Sequence, residues 1–158
     1  MEQPETTYDR EIVVERFIAA PRRFVFEAFT TDEHLSRWWG PNGFTTTTRS
    51  FDFRPGGEWE FTMHGPDGTD YPNWVRWEEI RPPERIVALH GDQRNDPEAF
   101  TSIFTFAEAD GGTRLTLRSV FPTARARDRA VTEYHAVEGG EQTLARLDQY
   151  AVDLSKEE

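Results

Sequence analysis

The stretch DFRPGGEWEFTMHGPDG, residues 52–68, predicts a β-strand held between two tight turns. The first turn is the P-G-G run at residues 55–57, where proline fixes one backbone φ angle and glycine permits the positive φ of a tight reversal. Large apolar and polar residues then alternate from Glu58 to His64, which is typical of an antiparallel strand with one buried face. The G-P-D-G run that follows predicts the second turn. This strand is therefore the centre of a β-meander whose apolar face another element must cover.

The rest of the chain predicts six more strands and three helices. Turn signals separate strands over residues 10–19, 44–53, 71–80, 85–91, 99–107 and 113–121. Two short helices are expected after the first strand, one beginning at Pro21 and one over Asp32–Trp38 behind a capping box. Apolar residues spaced by three or four predict one long amphipathic helix over residues 123–154. The glycine pair at 139–140 indicates a kink, a place where the backbone must stay slim, or a break between two helices.

These elements predict a single α+β domain. A curved six- to seven-stranded antiparallel sheet is expected to wrap round the long C-terminal helix, with two short helices after the first strand. This arrangement buries the apolar face of the sheet and that of the helix against each other. The domain is expected to occupy residues 1–158, with an ordered core over residues 10–154 and a frayed segment over residues 1–8.

Composition argues against several classes of function. The chain has no Cys, which excludes disulfides and thiol chemistry, and its net charge of -11 argues against nucleic acid and anionic membranes as partners. No motif has the spacing of metal ligands, a phosphate loop or a nucleophile elbow, so neither a metal nor another cofactor is expected. No apolar run is long enough to span a membrane and the N-terminus lacks a signal pattern, so a cytoplasmic location is expected.

Five segments together resemble a known superfamily. They are FTTDEHLSRWWGPNGF, DFRPGGEWEFTMHGPDGTDY, EEIRPPERIV, GGTRLTL and EGGEQTLARLDQYA. In order over residues 10–154, the pattern resembles the SRPBCC superfamily, and more closely its AHSA-like branch, named after the activator of heat-shock-protein ATPase. The resemblance implies the START-like or helix-grip fold, in which a curved sheet and a long helix enclose a cavity. Val75, Arg76 and Trp77 stand where the family often has a glycine, so their bulk is expected to narrow or reshape the cavity.

Strand periodicity predicts which side chains face this cavity. Ile80 is expected to point inward, and barring a bulge the same parity applies to Trp74, Arg76 and Glu78. Arg76 and Glu78 would then pair with each other or bind the polar end of a ligand, and the alternative is a surface ion pair after a slip of parity. His90 is expected inside as well, either as a general base or as a structural residue.

Adjacent Trp38 and Trp39 cannot face the same way, so one is expected to pack under the short helices and the other to lie at the cavity mouth. Gly140 is the point of the long helix that would leave room beside a ligand. The candidate ligand-binding residues are Trp38, Trp59, Phe61, Met63, Trp74, Arg76, Glu78, His90, Phe104, Phe106 and Gly140.

The leading functional hypothesis is the binding of a small hydrophobic or amphipathic molecule in an internal cavity, without a catalytic motif. A filled core, in which the aromatic residues merely pack, is the structural alternative. The resemblance implies two further alternatives. One is a co-chaperone-like module with a chaperone partner, and the other is a cyclase- or hydrolase-type enzyme that uses the cavity. A homodimer is left open.

Overall fold

The computed structural model describes residues 7–157, which form seven strands and four α-helices after a short 3-10 turn at Tyr8–Arg10. The expectation for residues 1–6 lies outside the described part. The strands are β1 Glu11–Ile18, β2 Thr45–Phe51, β3 Glu58–His64, β4 Asp70–Arg81, β5 Arg85–Gly91, β6 Phe100–Ala109 and β7 Gly112–Val120. The helices are α1 Arg22–Glu27, α2 Asp32–Trp38, α3 Ala124–Glu133 and α4 Ala136–Lys156.

All seven strands form one antiparallel sheet in the order β1-β7-β6-β5-β4-β3-β2. Strands β2 to β7 follow one another across the sheet. The last of them, β7, pairs with β1, which forms the edge opposite β2. Helix α4 covers the inner face, where Leu144, Leu147 and Ala151 are fully buried in the same core as the inward residues of the sheet. This curved sheet around a C-terminal helix, with α1 and α2 after the first strand, confirms the predicted fold class.

The C-terminal segment differs from the prediction of one helix over residues 123–154. Its two helices meet at His135, whose φ of 51° is left-handed and ends helical continuity. Thr123 starts the first of them, because its side chain accepts a hydrogen bond from the Ala126 N–H. The glycine pair lies within α4 rather than at the break. A Cβ placed on Gly140 would lie 3.3 Å from Cγ2 of Val14, so the slim backbone allows α4 to approach β1 closely.

The turn before β3 is held to β4 by backbone hydrogen bonds. The Gly56 N–H donates to the Trp77 carbonyl at 2.7 Å, and the Trp77 N–H donates to the Gly57 carbonyl at 2.9 Å. A Cβ on Gly57 would collide with the carbonyl oxygen of Asp52, whereas nothing lies within 4 Å of a Cβ on Gly56, where φ is 84°. The two glycines therefore serve different purposes, one for close backbone approach and one for a left-handed φ.

Replacing these glycines one at a time tests the turn. Gly57→Ala is expected to lower the free energy of unfolding by about 3 kcal/mol, because the backbone must move to relieve the collision. Gly56→Ala is the matched control and is expected to cost about 1 kcal/mol, because its only penalty is the left-handed φ. Urea denaturation measures both values, and a Gly56→Ala variant less stable than Gly57→Ala would contradict this account.

Candidate functional site

A β-bulge in β4 determines which of its side chains face the interior. The register with β5 shifts between Trp77 and Glu79, so one extra residue enters β4 and the parity changes. Ile80 packs against the core as expected, but before the bulge the core residues are Val75 and Trp77. The inward placement predicted for three neighbouring residues is therefore wrong, and the outer face of the sheet carries Trp74, Arg76 and Glu78.

These outward residues form a polar network with their neighbours. Arg76 donates to Glu78 at 2.8 Å, with their side chains 42% and 39% exposed, which is the surface ion pair considered as the alternative. The Trp74 indole N–H donates to Oε1 of Glu58 at 2.6 Å, and Arg94 donates to the same oxygen. The hydrogen bond from Trp74, followed by that from Arg94, lowers the pKa of Glu58. These residues therefore pair with one another on the outer surface.

One half of the interior is filled by aromatic side chains. Four predicted site residues belong to this half, and each is at most 3% exposed: Trp38, Trp59, Phe104 and Phe106. Phe29 lies between them, with its ring centroid 4.9 Å from those of Trp38 and Phe104. The indole N–H of Trp38 donates to the Ala28 carbonyl, and that of Trp59 donates to Thr48. This packed half matches the filled-core alternative.

The other half of the interior has inward-facing side chains that remain half-buried, and we call it the open half. The cross-strand register places its strand residues opposite one another on the inner face. Trp39 lies beside Phe61 and His90, and Val137 of α4 packs against the same core. Phe61 separates the two halves, with one ring face stacked on Trp59 at 3.7 Å. The open half comprises Trp39, Met63, Asn73, His90, Phe100, Leu117, Ser119 and Val137.

Trp39 forms the cover of the open half. Its ring centroid lies 5.0 Å from that of Trp59 and 6.0 Å from those of Phe61 and His90. Trp38 therefore packs under the short helices and Trp39 lies at the opening, as their adjacency required. Of the two, Trp38 has no exposed surface, whereas Trp39 is only partly buried.

Arg146 on α4 fixes the segment that carries Trp39. Its Nη1 donates to the carbonyls of Gly40 at 2.8 Å and Pro41 at 3.0 Å, and one helical turn earlier Gln142 accepts from the Asn42 N–H. Removal of the guanidinium from water lowers the pKa of Arg146. The four-residue spacing of Gln142 and Arg146 is the signal that sequence reasoning had available and did not use.

His90 lies at the base of the open half with a defined hydrogen bond. Its Nε2 is 2.7 Å from Oδ1 of Asn73, and its ring centroid is 4.9 Å from that of Phe100. Burial lowers the pKa of His90 to about 4, although the Asp96 carboxylate acts in the opposite direction. The imidazole is therefore neutral at neutral pH.

Two serine hydroxyls add polarity beside His90. Ser102 and Ser119 face each other across β6 and β7 on the inner face. Among the residues that the structure describes, neither side chain makes a hydrogen bond. The side-chain atoms that are sealed from solvent and lack a hydrogen-bond partner in that part of the chain are Trp77 Nε1 and Glu79 Oε2. Neither serine hydroxyl is among them, so both can bind water or another polar group, although Ser102 is only 6% exposed.

The predicted site residues are only partly brought together. Met63 and His90 lie in the open half, Phe61 separates the two halves, and Gly140 lies against β1. Two surface depressions of about 540 and 480 Å³ lie elsewhere, beside the β6–β7 turn and between α3 and β1, and neither is lined by a predicted site residue. Within residues 7–157 no cluster of three potential metal ligands occurs. No helix in the same range is long and apolar enough to cross a bilayer.

Comparison with known families identifies the fold family. The profile described as "Activator of Hsp90 ATPase homolog 1-like protein" matches residues 19–151. The chain belongs to this AHSA1-like family. The resemblance predicted from the five sequence segments is therefore confirmed. A comparison of the AHSA1-like chain with curated proteins gave no match.

Solved structures share the AHSA1-like fold over nearly the whole chain. A Nitrosomonas europaea protein is 24% identical, with a TM-score of 0.82 over 92% of this chain and 96% of its own. A Mycobacterium smegmatis protein is 25% identical, with a TM-score of 0.80 over 94% of each chain. The AHSA1 protein of Silicibacter pomeroyi is 23% identical, with a TM-score of 0.70 over 94% of this chain and 99% of its own. These likenesses establish the fold.

Truncation of aromatic residues tests the division of the interior. Trp59→Ala is expected to lower the free energy of unfolding by about 3–5 kcal/mol, because it leaves a cavity in close packing. Phe100→Ala is expected to cost about 1–2 kcal/mol, because its half-buried ring loses less area from contact. Urea denaturation compares the two variants. Equal losses would mean that the open half is packed as tightly as the other.

Acid unfolding tests the environment of His90. Its pKa falls from 6.5 to about 4 on folding, so between these values the unfolded chain takes up a proton that the native protein does not. The contribution of His90 to the free energy of unfolding is therefore fully present above pH 6.5, and it falls by up to about 3 kcal/mol as the pH approaches 4. His90→Phe is expected to remove this part of the acid sensitivity, and His64→Phe on the outer face to keep it. Identical pH profiles of free energy for wild type and His90→Phe would refute the assignment.

Proposed function

We propose that the protein binds a small hydrophobic or amphipathic molecule in the open half, under Trp39. The observation that carries this proposal is the change along the inner face from fully buried aromatic residues to half-buried ones with accessible polar atoms. Side chains that face the interior of a fold normally lose nearly all contact with water. In the open half the inward-facing side chains keep part of their contact with water, although they lie on the face of the sheet that a helix covers.

The chemistry of the open half fits an apolar ligand. Aromatic surfaces from Trp39, Phe61 and Phe100 surround the neutral imidazole of His90, and aliphatic side chains complete the lining. Burial of this partly wet surface by a ligand would contribute about 25 cal/mol for each Å² of apolar area removed from water. A mainly apolar lining with a few convergent polar atoms is the usual composition of small-molecule sites.

A protein-binding role is the second candidate. The family description refers to activation of a chaperone ATPase, and the outer face of edge strand β1 exposes 49% of Val13 and 40% of Phe17. Exposed apolar side chains on an edge strand favour protein contacts. Such a role would use the outer surface and would not depend on the open half.

Filling the open half tests the proposal. The neutral fluorescent probe N-phenyl-1-naphthylamine is expected to bind the wild type saturably, with changes in tryptophan emission because Trp39 and Trp59 lie beside the site. Ser119→Phe places a ring on the inner face and is expected to weaken binding at least about tenfold, which corresponds to about 1.4 kcal/mol.

Thr116→Phe is the matched control, because it adds the same ring to the same strand on the outer face, opposite Thr105 and Glu15. Arg76→Ala is a second control, since its guanidinium pairs on the outer face. Both are expected to retain wild-type affinity. Absence of saturable probe binding, or equal weakening by Ser119→Phe and Thr116→Phe, would reject the ligand-binding proposal and favour the protein-binding one.

A further inference from the structure

The hydrogen bonds around His90 define which of its nitrogen atoms carries the proton. Nδ2 of Asn73 donates to the Tyr71 carbonyl at 3.0 Å, which fixes the orientation of the amide and turns its Oδ1 towards His90. An amide oxygen can only accept, so Nε2 of His90 must donate across the 2.7 Å contact. In a neutral imidazole the other nitrogen then carries a lone pair and accepts hydrogen bonds.

That second nitrogen, Nδ1, has no protein partner in the part of the chain that the structure describes. It is not one of the atoms that are sealed from solvent without a hydrogen-bond partner, which are Trp77 Nε1 and Glu79 Oε2, so it keeps some contact with solvent. The rings of Trp39, Phe61 and Phe100 lie around the imidazole, with centroids 4.9 to 6.1 Å away. His90 therefore presents one acceptor inside an aromatic enclosure.

The charges of the site agree with an uncharged ligand at this point. His90 stays neutral because burial lowers its pKa to about 4. The neighbouring polar groups of the inner face are the amide of Asn73 and the hydroxyls of Ser102 and Ser119, none of which is charged. The nearby Asp96 carboxylate accepts hydrogen bonds from the backbone N–H groups of Asp92 and Glu98. The guanidinium of Arg146 is engaged with backbone carbonyls on the other side of the Trp39 segment.

We infer that the ligand of the open half is an uncharged molecule with an O–H or N–H donor on its apolar body, and that Nδ1 of His90 accepts this hydrogen bond. The inference rests on the proposed function and narrows it to a class of ligand. His90 then determines specificity, because it favours alcohols, phenols and amides over ethers and hydrocarbons of the same shape. Asn73 is a positioning residue, since it acts only by fixing the tautomer of His90.

A pair of uncharged probes separates donor recognition from apolar burial. 2-Naphthol and 2-methoxynaphthalene share the same ring system, but methylation removes the donor hydrogen. A neutral hydrogen bond contributes about 0.5–1.5 kcal/mol, so 2-naphthol is expected to bind about three- to tenfold more tightly to the wild type at pH 7. Tryptophan quenching or calorimetry gives both dissociation constants.

The ratio of the 2-naphthol and 2-methoxynaphthalene affinities in variants shows whether His90 accepts the hydrogen bond. His90→Phe keeps an aromatic ring but removes the acceptor, so the ratio of the two affinities is expected to fall to about 1, as in a double-mutant cycle. Asn73→Leu is expected to lower the ratio as well, because the proton is then free to move to Nδ1. His64→Phe is the matched control, since His64 pairs with Thr47 and Asp70 on the outer face and its loss should leave the ratio unchanged.

A measurement on the wild type needs no variant and remains valid if His90→Phe fails to fold. In the protein with ¹⁵N-labelled histidine, the Nδ1 resonance of His90 is expected to be that of an unprotonated nitrogen. It should shift on addition of 2-naphthol and not of 2-methoxynaphthalene. A merely structural histidine would respond equally to both probes.

The possible outcomes distinguish the two proposals. If neither probe binds saturably, ligand binding in the open half fails and this inference fails with it. If both bind with equal affinity, or the ratio is unchanged in His90→Phe, the proposed function stands and the donor requirement is overturned. A protonated Nδ1 in the free protein at pH 7 would also overturn it.

Discussion

The bulge in β4 is the constraint on which the interior depends. One extra residue between Trp77 and Glu79 brings Trp77 into the core and turns Arg76 and Glu78 to solvent. Without it, the same strand would bury two charges opposite α4, which is costly unless they are paired and fully hydrogen-bonded. The bulge also coincides with the turn that precedes β3, since the backbone of Trp77 pairs there with Gly56 and Gly57. Strand parity and turn geometry are thus fixed by one local arrangement.

A gradient of packing follows from this arrangement. Around Phe29 the rings meet edge to face at 4.9 Å, a geometry that aromatic pairs favour and that leaves little space. Beyond Phe61 the Trp39 segment lies over the inner face, and it depends on Arg146 for its position. Close packing in one half stabilises the domain, and the other half is the proposed binding site. Stability and the proposed binding function therefore rest on different residues.

Much of the fold was predictable because its signals are local. The turn residues and alternating apolar positions gave all seven strands, and the polar residues before α2 gave its bounds, Asp32–Trp38. Its cap is Thr31, which accepts from the His34 N–H, rather than the predicted box of Thr30 and Glu33. A break between two helices was one reading of the glycine pair, but the break lies at His135, whose left-handed φ has no sequence signal as strong as a glycine. Of the predicted candidates, Met63 and His90 lie in the open half together with Trp39, one of the two residues expected at the cavity mouth, whereas Asn73 and Ser119 were not among the candidates. Their role arises only when separate strands pair.

The sequence by itself determined the order of elements, the family and the aromatic character of the interior, because periodicity and turn chemistry act over a few neighbouring residues. Only the tertiary structure decided which face of β4 is buried, since a bulge reverses parity without changing composition. It also decided the tautomer of His90, because this depends on the Asn73 amide, whose orientation is set by the Tyr71 carbonyl. Such choices depend on contacts between segments distant in the chain, and these exist only in the folded protein.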